Sequence, residues 1–228
     1  TLQFMKILFT KKLNEKQVSE KLGNGFSCDF VEVIKINHKE VRPFDLENYS
    51  LIFTSVNGVD AFFANGFKPD ENFMDKHFNK IYCVGKKTKA RLRKYGFGVI
   101  KMKKNAKELS EFIVENCAKE RFIHFCGNLA LDILQKKLPL QNIEYRKVVV
   151  YETELLYPKV EHQYDAVAFF SPSGVRSFVQ HNLLNFSNIF SIGETTTSEI
   201  YKFTDKKVFT GKDNDLAALL QLIKVEGK

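Results

Sequence analysis

The chain has 228 residues, 44% of them hydrophobic and 27% charged, and it carries a formal net charge of +8. No apolar run reaches the roughly 18–20 residues that span a bilayer, and the N-terminus lacks the basic-apolar-small order of a signal peptide, so we expect a soluble, cytoplasmic protein of one large or two small domains. The positive charge favours an anionic partner, although no nucleic-acid recognition signature accompanies it.

Short apolar runs alternate with amphipathic stretches along the chain, which is the pattern of an α/β fold with parallel sheets. A first front unit, as we call it, has predicted strands at 4–10 and 25–36 on either side of a helix near 15–21. The same order returns in a second front unit, with strands at 121–126 and 143–153 and a helix over 129–137.

Each front unit is followed by a longer back unit of three strand–helix pairs. The first back unit has predicted strands at 51–55, 80–85 and 97–102, with helices after 55, at 87–95 and at 106–118. The second has strands at 166–171, 188–193 and 206–211, each followed by a helix. One front unit and one back unit together supply the five strands of a flavodoxin-like doubly wound sheet.

The two back units repeat the same sequence pattern. LIFTSVNGVDAFF at 51–63 recurs as VAFFSPSGVRSFV at 167–179, and IYCVGKKTKARL at 81–92 recurs as IFSIGETTTSEI at 189–200. Two related strand–loop–helix units in one chain indicate two similar halves that face one shared site.

The lengths of the connections predict which units share a domain. The first back unit reaches the second front unit through a short loop near 116–119, an ordinary helix-to-strand connection. The connections from front to back, at 37–50 and 154–165, are longer. We therefore predict two flavodoxin-like doubly wound parallel-sheet domains with swapped segments, one formed by 1–36 plus 154–228 and the other by 38–152. Two plain tandem domains are the alternative.

In doubly wound sheets, ligands bind beyond the carboxyl ends of the strands. There the predicted loops combine glycine, hydroxyl and lysine residues, which suits carboxylates or phosphates. Taken singly, each residue is also explained as a helix cap, a turn glycine or a solvated lysine. The candidate ligand-binding residues are Ser55, Asn57, Gly85, Lys86, Lys87, Thr88, Gly127, Asn128, Ser171, Ser173, Gly174, Gly193, Thr195 and Thr196.

Several well-known chemical motifs are absent from the sequence. It contains neither G-x-x-x-x-G-K-[ST] nor G-x-G-x-x-G, and no G-x-S-x-G nucleophile elbow. The four cysteines and five histidines lack zinc-site spacing; we expect buried thiols, and His124 to be a core residue. An enzyme built this way would act by holding a reactive anionic substrate in shape.

Six segments, in order and at matching spacing, resemble uroporphyrinogen-III synthases: FTSVNGV at 53–59, YCVGKKTKARL at 82–92, HFCGNLALDIL at 124–134, VVVYETEL at 148–155, FFSPSGV at 169–175 and SIGETTTSEI at 191–200. The resemblance implies two swapped domains joined by two linker strands around a cleft. It also implies a hydro-lyase of heme biosynthesis that cyclises hydroxymethylbilane, a polycarboxylated linear tetrapyrrole, with inversion of ring D. No metal or organic cofactor is implied.

The resemblance also assigns roles to individual residues. Tyr151 matches the tyrosine of the family's V-Y-x-T segment, where a phenol could act as general acid; a tyrosine packed at a strand end is the alternative. Thr88 and Thr196 match the paired G-x-x-T threonines, and the serine loops match as well, which implies carboxylate binding. Glu194 is acidic in a loop that should face an anion, so we expect this loop to bind through N–H groups and Thr196.

Two other functions compete with the enzyme. A two-lobed sensor of an anionic tetrapyrrole would bind the same ligand without catalysis, and a basic protein associated with nucleic acid would bind DNA with strong salt dependence. We expect neither nucleic acid nor membrane as a partner, and a monomer.

Overall fold

The structure is a computed structural model that describes residues 4–70, 72 and 78–227. The chain divides into two units. The first, here called the split unit, consists of residues 1–35 and 154–228; the second, the continuous unit, consists of residues 36–153.

Strands and helices alternate along the chain as follows: β1 Met5–Phe9, α1 Glu15–Leu22, β2 Phe26–Phe30, β3 Ile34–His38, β4 Ser50–Phe53, α2 Val56–Ala64, β5 Ile81–Val84, α3 Lys86–Lys94, β6 Lys101–Lys103, α4 Ala106–Asn116, β7 Phe122–Gly127, α5 Ile133–Leu140, β8 Tyr145–Leu155, β9 Ala166–Phe169, α6 Pro172–Val179, β10 Asn188–Ser191, α7 Glu194–Ile200, β11 Val208–Thr210 and α8 Leu216–Glu226. No helix among the described residues is both long and apolar enough to cross a membrane.

The split unit contains a five-stranded sheet in the order β11-β10-β9-β1-β2, and its neighbouring strands pair in parallel. Successive residues of β1 enter different cores, because side chains alternate between the two faces of a strand. Ile7 and Phe9 pack with Val18 of α1 and Leu219 of α8. Leu8 packs on the other face, in the core that α6 and α7 cover. Helices therefore cover both faces of the sheet.

The continuous unit contains a six-stranded sheet in the order β3-β8-β7-β4-β5-β6. The central strand β4 is buried along its length and pairs in parallel with β5 and β7. Phe53 packs with Phe62 of α2 and Leu92 of α3 on one face. Ile52 packs with Leu109 of α4 and Leu134 of α5 on the other. The predicted α/β fold with parallel sheets is confirmed.

The strand predicted over 25–36 is wrong in one respect, since the structure has two strands there in different sheets. β2 ends where the Val31 N–H donates to the Phe9 carbonyl oxygen at 2.9 Å. Val33 is then buried, and its carbonyl oxygen accepts from the Leu156 N–H at 3.0 Å. Beyond this point β3 lies beside β8 in the other sheet. A continuous apolar run does not reveal such a change of partner.

The helix predicted over 129–137 begins later than expected, at Ile133. The residues before it form a turn in which the Ala130 N–H donates to the Gly127 carbonyl oxygen at 3.1 Å. Asn128 is hydrogen-bonded to the neighbouring strand β8, since its Oδ1 accepts from the Thr153 N–H at 2.8 Å. These hydrogen bonds replace the first helical turn.

Candidate active site

The loop after β4 holds Ser55 at the start of α2. Ser55 has extended backbone, and its Oγ accepts a hydrogen bond of 3.0 Å from the Gly58 N–H. Gly58 has no room for a side chain, since a Cβ there would lie 2.9 Å from the Phe125 carbonyl oxygen. The helix start is thus packed closely onto β7, while Asn57 is exposed.

Tyr151 lies on β8 at an irregularity in the pairing with β7. The register shifts between Cys126 and Gly127, and Gly127 pairs with Tyr151. The tyrosine ring covers Gly127 so closely that a Cβ there would lie 2.5 Å from two ring carbons. The Asn128 N–H donates to the Tyr151 carbonyl oxygen at 3.2 Å. Glycine at position 127 is therefore a condition for the position of the phenol.

Ser55 and Tyr151 meet although they are far apart in the sequence. Their hydroxyl oxygens are 3.0 Å apart. Because Ser55 Oγ already accepts the Gly58 N–H, its own proton can be donated to the phenol oxygen, which leaves the phenol proton to point elsewhere. Burial raises the pKa of Tyr151, with an opposing effect from the Ser55 hydrogen bond. The phenol is therefore protonated at neutral pH.

A partly buried chain of polar side chains leads to Thr54, the residue before Ser55. His124 is 1% exposed; its Nε2 lies 2.8 Å from Thr54 Oγ1 and its Nδ1 lies 2.7 Å from Tyr145 Oη. Burial, followed by the charge of Lys147, lowers the pKa of His124 to about 3. The ring is therefore neutral, with one nitrogen donating and the other accepting.

The prediction that His124 is a core residue is confirmed, but its contact with Thr54 is not evident from the sequence. The apolar neighbours of His124 indicate burial without indicating a polar partner. Thr54 lies 70 residues earlier in the chain, so only the pairing of β4 with β7 brings the two together.

The loop between β5 and α3 leaves a helix start without a side-chain cap. Gly85 has a φ of 86°, a conformation that favours glycine, and its N–H donates to the Lys103 carbonyl oxygen at 2.9 Å. Lys86 and Lys87 are exposed in the first turn, whereas Thr88 is 4% exposed. Backbone N–H groups at a helix start attract anions, and the lysines add positive charge there.

The split unit repeats the serine cap of the continuous unit. Ser171 precedes α6 with φ −163° and ψ 154°, against −154° and 155° for Ser55. Its Oγ accepts the Gly174 N–H at 3.0 Å. The repeated sequence therefore has the same local geometry twice, but the serines have different hydroxyl partners. Ser171 Oγ lies 3.2 Å from Ser173 Oγ, whereas Ser55 meets a tyrosine.

The loop between β10 and α7 differs from its counterpart before α3. Gly193 has extended backbone, with φ 176°, and is buried. A Cβ on Gly193 would collide with the Asn214 side chain, so glycine makes room for this asparagine. Thr195 is exposed and Thr196 is 1% exposed. Asn214 comes from the loop after β11, and nothing in the local sequence signals its approach to Gly193.

The structure brings predicted site residues into contact in two separate groups. Each group lies within one unit. Ser55, Tyr151 and Gly127 form the first group, and Ser171, Ser173 and Gly174 form the second. The other predicted residues lie in neighbouring loops: Asn57, Gly85, Lys86, Lys87, Thr88, Asn128, Gly193, Thr195 and Thr196. Within the described ranges, His, Cys, Asp and Glu side chains form no group of three or more that could hold a metal ion.

Comparison with known proteins gives one family over most of the chain. Residues 16–221 match the model of the HEM4 family, described as uroporphyrinogen-III synthase HemD. The solved uroporphyrinogen-III synthetase from Helicobacter pylori 26695 has a TM-score of 0.68 at 17% identity, covering 99% of this chain and 100% of that chain.

A mutant uroporphyrinogen III synthase from the extremely thermophilic bacterium Thermus thermophilus gives a TM-score of 0.68 at 13% identity, covering 98% of this chain and 100% of that chain. At these identities the structural likeness concerns the fold. The family match extends over the whole of the continuous unit and most of the split unit. The chain therefore belongs to the uroporphyrinogen-III synthase family, the cyclising lyases of tetrapyrrole biosynthesis.

Proposed function

We propose that this chain converts hydroxymethylbilane into uroporphyrinogen III by loss of water, closure of the macrocycle and inversion of ring D. The family match over 16–221 carries the reaction class. The contact of 3.0 Å between the Ser55 and Tyr151 hydroxyls supports the choice of the Tyr151 phenol as the proton donor.

Tyr151 is the proposed general acid. Its proton would go to the departing hydroxyl group of the substrate while the carbon–oxygen bond breaks and the electron-rich pyrrole supplies the electron pair, so that water leaves. Because the pKa of Tyr151 is raised, the proton is present at neutral pH. Ser55 would then donate its own proton to the phenolate oxygen in a hydrogen bond, which stabilises the charge that forms.

For ring closure, the main requirement would be a bent conformation of the substrate, rather than a further acid or base. In the proposed path, the α-carbon of the last pyrrole ring that already carries the bridge to the third ring attacks the carbon from which water has left, which forms a spiro intermediate. The old bond from that carbon to the bridge then breaks, and the bridge bonds to the other α-carbon of the same ring, which loses its proton. Holding the substrate carboxylates in fixed positions favours this conformation. We assign that task to the helix starts at Gly85–Thr88 and Gly193–Thr196 and to the serine loops at 55–58 and 171–174, where N–H and hydroxyl groups are concentrated.

We also infer that each unit is a flavodoxin-like domain and that the two exchange segments. In the split unit, the five strands counted in chain order lie as 2-1-3-4-5, the order of flavodoxin-like sheets. The continuous unit has the same order, apart from β3, when β7 and β8 are counted before β4. Strands β3 and β8 cross the boundaries between units and would be the two linkers.

The decisive experiment supplies hydroxymethylbilane and identifies the isomer produced. We expect the type III isomer at a rate well above spontaneous cyclisation. Formation of the type I isomer alone, at the spontaneous rate, would contradict the proposal. Retained affinity for the tetrapyrrole without isomerised product would favour the sensor, and strong salt-dependent binding of DNA would favour a nucleic-acid partner.

We propose the cytoplasm as the location, since all four cysteines are unpaired, as is usual in a reducing compartment. The expectation of a monomer stays a prediction. The mass in solution, measured by light scattering, tests it.

A further inference from the structure

The positive charge of the chain is concentrated in one segment. Residues 86–107 contain ten Lys and Arg residues and no Asp or Glu. Because the chain has 35 Lys+Arg against 27 Asp+Glu, the other residues hold 25 against 27. The net charge of +8 therefore comes from these 22 residues, here called the basic segment, and the remainder of the chain is slightly acidic.

The basic segment consists of α3, the edge strand β6 and the first turn of α4. Arg91 is neutralised by Asp60, whose carboxylate lies 2.7 Å away. Lys101, Lys104 and Lys107 are exposed. β6 lies at the end of the sheet order. Lys101 is on this strand, Lys104 follows it, and Lys107 is in the first turn of α4.

Part of the segment is held in position. The ammonium groups of Lys101 and Lys103 lie 5.1 and 5.3 Å from the centre of the Phe112 ring, within the range of a cation–π interaction. Two like charges are thus both held at the same ring. An arrangement that holds positive charges together in spite of their repulsion is suited to a ligand with several negative charges.

The segment also adjoins a proposed substrate loop. The Gly85 N–H donates to the Lys103 carbonyl oxygen, so the end of β6 contacts the start of α3 directly. Lys104 follows at the same end of the strand. The end of β6 in the basic segment therefore lies next to the helix start at Gly85–Thr88.

The aromatic residues of the segment argue against single-stranded nucleic acid, which stacks its bases on free aromatic rings. Tyr95 is the exposed candidate, but its ring is already stacked on Phe63 at 4.1 Å. Its hydroxyl donates to Asp60 at 3.3 Å. A small polyanion can bind through the positive charges of the segment alone and needs no free aromatic ring.

We propose that the basic segment is an electrostatic steering surface that captures the polycarboxylate substrate and raises its association rate. The inference rests on the proposed function. Clustered charge of one sign raises encounter rates by about 10- to 1,000-fold, in a manner that falls steeply with ionic strength. Steering acts before the chemical step, so it changes kcat/KM and leaves kcat unaltered.

The test compares a triple variant, Lys101→Gln, Lys104→Gln and Lys107→Gln, with a matched control, Lys16→Gln, Lys21→Gln and Lys159→Gln. Both remove three exposed positive charges, but the control does so in the split unit. kcat and kcat/KM are measured from about 10 to about 500 mM salt, a range over which screening becomes strong. A Lys→Arg triple variant at the first three positions keeps the charge and checks for damage to folding.

At low salt we expect the triple Gln variant to lose roughly 3- to 10-fold in kcat/KM, with kcat unchanged and with convergence on the wild type at high salt. The Arg variant and the split-unit control should stay close to the wild type. An unchanged salt dependence in the triple Gln variant, or an equal loss in the control, would overturn the steering proposal while leaving the enzyme assignment intact. A wild-type chain that forms no type III isomer would overturn both.

Discussion

At the scale of single residues, the two hydroxyls at Ser55 and Tyr151 form the best-defined chemical contact among the proposed site residues. Their roles differ, because Ser55 is also a helix cap. Its Oγ serves the Gly58 N–H and the phenol at once. A change at Ser55 therefore mixes structural and chemical effects, whereas a change at Tyr151 that removes only the hydroxyl isolates the chemistry.

Replacement of Tyr151 by Phe should lower kcat by about 100-fold or more with little change in KM, since general acid catalysis contributes roughly 100- to 10,000-fold. The ring remains to cover Gly127, so folding should be preserved. Single-turnover rates with hydroxymethylbilane measure the effect. Tyr164→Phe is the control, because that hydroxyl bonds to Asp29 in the split unit. An unchanged kcat in Tyr151→Phe would remove the acid role.

His124 makes stability depend on pH in a defined direction. Its pKa is about 3 in the folded chain and near 6.5 when unfolded. Between these values the unfolded chain binds a proton that the folded chain does not. Stability from this group is therefore fully present above about pH 6.5 and is lost as pH falls, at up to about 1.4 kcal/mol per pH unit.

His124→Gln should flatten the fall in unfolding free energy between about pH 6.5 and 3 relative to the wild type. Denaturant unfolding at several pH values measures this slope, and His162→Gln, at an exposed position in the split unit, is the control. Equal slopes for the wild type and His124→Gln would show that His124 takes up its proton over the same pH range in the folded and the unfolded chain, and so that folding does not lower its pKa.

At the scale of secondary-structure elements, the duplicated helices carry the same ion pair with its charges exchanged. In the continuous unit Asp60 of α2 meets Arg91 of α3 at 2.7 Å. At the equivalent positions of the split unit, Arg176 of α6 meets Glu199 of α7 at 3.2 Å. Burial tends to raise the pKa of Glu199, but hydrogen bonds from Lys202 and Arg176 outweigh it and leave the pKa lowered.

Because the charges of this ion pair are exchanged between the two copies, a second substitution should restore the stability that a first one removes. Asp60→Arg alone should destabilise the chain, because two arginines would face each other between α2 and α3. Adding Arg91→Glu should restore the stability, as the second copy already tolerates this polarity. For a partly exposed pair the effect is on the order of 1 kcal/mol or less, read from urea midpoints. A double variant no more stable than Asp60→Arg would mean that packing rather than charge decides the site.

Local signals in the sequence predict the caps but not the cross-strand contacts. Ser55 and Ser171 are recognisable because the cap and its Gly partner lie three residues apart. Tyr151 over Gly127 depends on a register shift between β7 and β8, which no local pattern encodes. The family resemblance points to Tyr151 without revealing that Ser55 is its partner. Cores are predictable where apolar periodicity is strong, and changes of sheet, as after β2, are not.

At the scale of the whole molecule, each unit has its own pair of apolar cores on the two faces of its own sheet. Most of the stability of a unit should therefore come from within it, although the polypeptide passes from one unit to the other twice. Sub-global opening of one unit without the other is the expected consequence.

Two matched substitutions test this independence. Ile113 in α4 and Ile223 in α8 are both 0% exposed, the first in the continuous unit and the second in the split unit. Ile→Ala at either position should cost about 2–5 kcal/mol. Hydrogen exchange under native conditions should then show lost protection confined to the strands of the mutated unit, so that each variant serves as the control for the other. Equal loss of protection throughout both sheets would instead identify the chain as one cooperative unit.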